Sequence, residues 1–135
     1  MRDPSDSTLK LLSRGLLRRC ARCGSGDLFP TFLTMAENCP SCGHYFERDS
    51  GYWIGAMIVA TAFTLIGFLA VFIGGLAVTW PVVPWNLLLV ATIVVTTIVP
   101  ISLYPVARTL WVAMDLSVRP LEDHEIARAD RFISD

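Results

Sequence analysis

The chain has 135 residues, a one-domain length for a soluble protein, yet 53% of it is hydrophobic and only 17% charged, against roughly 25% in soluble domains. The charges are also segregated: residues 50–107, 58 consecutive positions, contain no Asp, Glu, Lys or Arg. The net charge of −1 divides into +1 on the head before this gap and −2 on the tail after it, which argues against nucleic acid as a partner. A soluble core needs no such gap, whereas a bilayer does. The opening Met1-Arg2-Asp3-Pro4-Ser5-Asp6 has no apolar run behind it. No secretory signal peptide is therefore expected, and the apolar block should act as its own membrane signal.

Residues 1–19 read as a basic, amphipathic N-terminal segment. Leu9, Leu12 and Leu16 share one helical face, with Lys10, Arg14 and Arg18 elsewhere on the wheel. Such a helix either lies on anionic lipid or packs against the segment that follows, and Gly15 weakens it in both cases.

Residues 20–49 carry all four cysteines, as Cys20-Ala21-Arg22-Cys23-Gly24 and Cys39-Pro40-Ser41-Cys42-Gly43. Fifteen residues separate Cys23 from Cys39, the spacing of a two-knuckle zinc site. Two cysteines three apart on a tight turn aim both sulfurs at one ion while the turn's amides donate to them. A glycine after each pair suits the left-handed conformation that closes such a turn. Cys20, Cys23, Cys39 and Cys42 are thus the expected metal ligands, and Zn2+ in a structural role the expected cofactor. Iron uses the same four ligands and stays open. Two disulfides would need the oxidising side of a membrane, and a redox CxxC pair normally sits in a βαβ pattern absent here. Arg18, Arg19 and Arg22 flank the first pair and offset the charge of a tetrathiolate centre; they are also candidates for a docking or lipid-facing rim. Phe29, Phe32, Tyr45 and Phe46 are expected to form a small core on short strands after each pair. His44 is expected to lie outside the ligand set.

The apolar block holds two spans of about 20 residues each. The first is expected at 53–78 and the second at 87–107, joined by an extracytoplasmic Trp-Pro turn at 79–86. Trp80-Pro81-Val82-Val83-Pro84-Trp85 breaks the helix, because each proline removes a donor and restricts the residue before it. Trp80 and Trp85 suit one membrane interface, and Tyr52, Trp53, Tyr104 and Trp111 the other. Buried helices of a soluble bundle would show a polar stripe, and these carry only scattered threonines. Ala56–Ala60 and Ala70–Gly74, with Gly67 and Gly75, are small residues spaced to let another helix approach, whether the second span or a different chain. Pro100 and Pro105 are expected to bend the second span, with Thr96, Thr97 or Ser102 serving the freed carbonyls. No ionisable residue lies within the spans, against a pump or transporter. Basic residues lie before the first span and after the second, with none in the loop, so both termini are expected to be cytoplasmic. The tail, 108–135, mixes signs, and Leu121 to Phe132 reads as a solvated helix without chemistry.

The fold class expected is therefore a small β-type zinc ribbon followed by an α-helical transmembrane hairpin of two spans. The order Arg14-Gly15-Leu16, CARCGSGDLFPTFL, CPSCGHYFER, GYWIGAM and YPVARTLWVAMDLSVRP resembles the bacterial DUF983 family of unknown function, over nearly everything from Arg14 to Pro120. GYWIGAM is similar to one subgroup of it. The resemblance implies a multi-pass protein of the bacterial inner membrane with a zinc ribbon and an assembly or accessory role. With no paired carboxylates, Ser-His pair or open metal position, an enzyme is not expected, nor a small-molecule substrate. The partners expected are the lipid bilayer and a membrane or cytoplasmic protein. A metal-handling or thiol-redox factor using the same cysteines is the alternative.

Overall fold

The computed structural model describes residues 8–134; the first seven residues of the expected N-terminal segment, and Asp135, lie outside them. Four helices follow in order: α1 (Thr8–Leu16), α2 (Trp53–Thr79), α3 (Trp85–Val118) and α4 (Asp123–Ser134). The chain divides into two compact units. One runs through Ala56 and resumes at Pro105; the other is Met57–Tyr104.

The second unit is the larger part of α2 and the first part of α3. Both helices are long and apolar enough to cross a membrane, at 27 and 34 residues. They are apolar on every side, so large side chains such as Ile58, Leu65, Ile66, Leu87, Ile93 and Ile98 stand exposed. The helices meet where glycine leaves room: a Cβ on Gly75 would strike Leu88, and one on Gly67 would crowd Val95. The close approach thus falls on Gly67 and Gly75, while Gly74 of the expected pair Ala70–Gly74 faces open space. Thr61, Thr64, Thr92, Thr96, Thr97 and Ser102 each return a hydroxyl to a carbonyl four residues back on their own helix, so these hydroxyls are satisfied within it. Those of Thr96, Thr97 and Ser102 go to Thr92, Ile93 and Ile98, rather than to the carbonyls of Thr96 and Ile101 that the prolines free. The helices are joined at a cis Trp80–Pro81 bond.

In the first unit the expected β-type ribbon is not formed. Among the described residues there is no strand or sheet, only the isolated bridges Thr31↔Thr34 and Asn38↔Tyr45. The segment between the cysteine pairs closes on itself through turns, Leu28 N–H to the Gly26 carbonyl and Ala36 N–H to the Leu28 carbonyl. Pro30 and Pro40 withhold donors that a ladder would need. Helices supply the core that strands were expected to build. Val112, Ala113 and Leu116 of α3 and Leu11 of α1 pack with Cys20, Ala21, Leu28, Cys39, Phe46 and Tyr52. Phe29 lies partly buried against this cluster, whereas Phe32 is exposed.

Helix α1 is attached through Gly15. A side chain there would collide with Ala113 and the Thr109 carbonyl, and the Thr109 hydroxyl donates to the Gly15 carbonyl at 2.6 Å. The helix buries Leu11 and Gly15; of Leu9, Leu12 and Leu16 on the neighbouring face, only Leu12 packs partly against the core. It ends in paired C-terminal bonds, Arg18 N–H to Gly15 and Arg19 N–H to Arg14, with Arg18 at φ 56°. That motif normally places glycine in the left-handed position, and arginine there costs about 1 kcal/mol.

Candidate metal centre

Each cysteine pair sits on the same turn. In the first, Gly24 N–H donates to the Cys20 carbonyl and Cys20 N–H to the Ser25 carbonyl, both at 2.8 Å. In the second, Gly43 N–H donates to Cys39 and Cys39 N–H to His44, both at 2.9 Å. Gly24 and Gly43 hold φ of 82° and 65°, the left-handed conformation expected of them. Amides inside the turns point at sulfur: that of Cys23 at Cys20, those of Ser41 and Cys42 at Cys39, that of His44 at Cys42, and that of Ser25 at Cys23.

The four sulfurs converge. Cys20 Sγ lies 3.7 Å from Cys42 Sγ, and Cys23 Sγ 3.7 Å from Cys39 Sγ. All four lie within 4.8 Å of one another, and all are free thiols. A tetrahedral ion with 2.3 Å bonds to sulfur needs edges of about 3.8 Å. The donor set fits such an ion in size and chemistry, and the four cysteines are positioned to bind a metal. The hydrogen bond between Cys20 and Cys42 pushes the first thiol up and pulls the second down, while burial raises Cys39 to about 11.

Arginines brace the turns. Arg14 donates to the carbonyls of Ala21 and Arg22, and its guanidinium lies against Gly24. Arg22 reaches across to the Cys42 carbonyl at 3.1 Å, tying one turn to the other, whereas Arg18 and Arg19 are exposed. His44 is buried edge-on against Phe46, and its desolvation, with Arg22 and Arg48 nearby, lowers its pKa to about 4, so it is neutral.

A second cluster, not foreseen in the sequence, centres on Arg48. All five of its N–H groups are used. Nε and Nη2 grip the two oxygens of Glu125 at 2.6 and 2.7 Å. Nη1 donates to Asp115 Oδ2 at 2.8 Å and to the Arg119 carbonyl, and Nη2 also to the Pro120 carbonyl. Tyr52 donates its hydroxyl to the same Asp115 oxygen at 3.2 Å. The Arg48 and Asp115 side chains are each 6% exposed. Burial works against the guanidinium's charge, but the two carboxylates more than offset it. Against the cost of its own burial, the Arg48 bond holds Glu125 below the usual carboxylate range. The tail helix is therefore not simply solvated: Glu125 is ion-paired, Arg128 stacks 4.4 Å over Tyr45, and Gly43 seats directly against the Ala129 carbonyl. The partners of Arg48 lie 67 and 77 residues away, beyond any local sequence signal.

A tight four-thiol centre, in a chain with two helices long and apolar enough to cross a membrane, fits a membrane-associated metal-binding protein. The chain belongs to the family described as "Protein of unknown function (DUF983)", matched over residues 29–115. That stretch holds the second cysteine pair, Arg48 and Asp115, and leaves the first pair outside it. No match was found among curated proteins or solved structures.

Proposed function

We propose that this chain is a membrane-anchored structural-zinc protein that works by binding another protein, as an interaction, assembly or accessory factor, and not as an enzyme. The observation that carries the reading is the convergence of four sulfurs within 4.8 Å, two of them fully buried in the core. Cys20, Cys23, Cys39 and Cys42 would hold the ion. It would supply cross-linking and no open coordination position, as in closed four-cysteine sites. The basic residues flanking the apolar helices, and the reducing compartment that thiolate ligands need, support a cytoplasmic face of the inner membrane with both termini on that side.

Elemental analysis of the purified chain should give one zinc per molecule; one iron per molecule, or no metal with four reactive thiols, overturns the assignment. Capture of a tagged chain from mild detergent should bring down a stoichiometric protein partner, and recovery of the chain alone counts against an interaction role. The exposure of Cys23 favours one second reading, metal handling through an accessible ligand. Zinc leaving to a chelator within seconds supports that reading, and retention over hours supports a structural ion.

A further inference from the structure

We infer that the exposed stripe of α1, together with Arg18 and Arg19, is a contact surface for an anionic membrane. The fold uses only part of the leucine stripe. Leu11 and Gly15 take the buried face and Leu12 is half-buried against the core, while Leu9 is 77% exposed, Leu16 52% and the adjoining Leu17 68%. Among the described residues, nothing covers Leu9, Leu16 and Leu17 of this nine-residue helix.

Two observations assign the face to lipid headgroups. The first is position. Gly15 packs against Thr109, next to Arg108, the first charged residue after the uncharged run. Arg108 in turn stacks 4.2 Å over Trp53, an aromatic at the other end of that run, as residues at a bilayer boundary do. The second is charge. Arg18 and Arg19 are exposed immediately beyond Leu16 and Leu17, so apolar and cationic groups are presented side by side, the pattern of helices that lie in an anionic interface.

The inference rests on the two apolar helices lying in a bilayer, and the experiment separates the two. Full-length chain is incorporated into lipid nanodiscs of either phosphatidylcholine alone or phosphatidylcholine with phosphatidylglycerol, one chain per disc, and amide hydrogen exchange is followed across residues 8–19. Exchange in α1 should be slower in the anionic discs. Arg18→Gly with Arg19→Gln keeps the helix end intact and should remove the lipid dependence, a shift in docking of up to about thirty-fold (about 2 kcal/mol). Leu16→Ser with Leu17→Ser should raise exchange in both lipids. A chain that does not enter discs fails the membrane reading itself. A chain that enters them, with α1 exchanging equally in both lipids, overturns this inference alone. So does protection that appears only in discs holding two chains, which would give the stripe to a second copy.

Discussion

Replacing Arg48 with methionine keeps the length and apolar bulk of the side chain while removing all five donors. It leaves Glu125, 19% exposed, without its cation, and Asp115, 6% exposed, with only the more distant Arg119 guanidinium at 3.8 Å. Breaking a buried ion pair from one side costs about 3–5 kcal/mol, and the partial exposure of Glu125 places the expected loss near the lower end, about 3 kcal/mol. The neighbouring pair Arg119–Asp49 is an internal control. Its side chains are 57% and 58% exposed, so Asp49→Asn should cost less than about 1 kcal/mol. Urea denaturation of the full chain in mild detergent, read by the reactivity of the buried Cys20 and Cys39, reports on this unit specifically. With slopes of about 1–3 kcal/mol per molar urea, Arg48→Met should lower the midpoint by at least about 1 M. The pH dependence has a definite sign. The folded pKa of Glu125 lies below its ordinary value of 4.5, so its contribution is complete above that value and fades as pH falls through the lower, folded one. Arg48→Met should lose that acid sensitivity. Equal midpoints for Arg48→Met and Asp49→Asn would refute the argument that this cluster holds the unit together.

Cys39→Ser should release the metal and open the segment between Arg14 and Arg48 to limited proteolysis while sparing the apolar helices, because the binding energy of small zinc modules, about 10–16 kcal/mol, exceeds the stability of most domains; equal protease resistance in variant and wild type refutes it. Gly43→Ala combines a left-handed φ of 65° with a collision against the Ala129 carbonyl, so it should cost about 1–3 kcal/mol and free α4, seen as faster cleavage after Arg128 and Arg131. For orientation, Val82→Cys should react with a membrane-impermeant thiol reagent in intact cells and Ser134→Cys only after lysis, both in a chain lacking the native cysteines. Labelling of the Ser134→Cys chain before lysis would invert the topology and return disulfides as the account of the four cysteines.

What could be read without coordinates follows from the range of each signal. The apolar helices were legible because a charge-free run is a property of composition, and the cysteine centre because turn chemistry is local to five residues. The β-type ribbon was a wrong inference for a physical reason: core-forming aromatics at 29–46 say that a segment is covered, not what covers it. Here Val112, Ala113 and Leu116 provide the cover, and strands have no task left. Leu9, Leu12 and Leu16 lie at true helical spacing, yet the buried face is Leu11 and Gly15, because a glycine lets α1 approach α3 more closely than a leucine face would. Gly55 acts likewise, lying directly against the Trp111 ring. Arg48 looked like one more basic residue before a membrane span. Its role depends on carboxylates that are neighbours only after the chain has folded.

That the cysteine-bearing unit is assembled from both ends of the chain sets an order of events during synthesis. The residues that enclose Cys20 and Cys39 include Val112, Ala113 and Leu116, and Arg48 is neutralised by Asp115 and Glu125. At roughly 5–20 residues per second, the 67 positions from Arg48 to Asp115 take the ribosome about 3–13 seconds. Throughout that interval both apolar helices are being made, while the four thiols stand without their final cover. The head therefore cannot close until the apolar helices are complete, so a chain stalled partway carries cysteines still open to whatever delivers, or competes for, their metal.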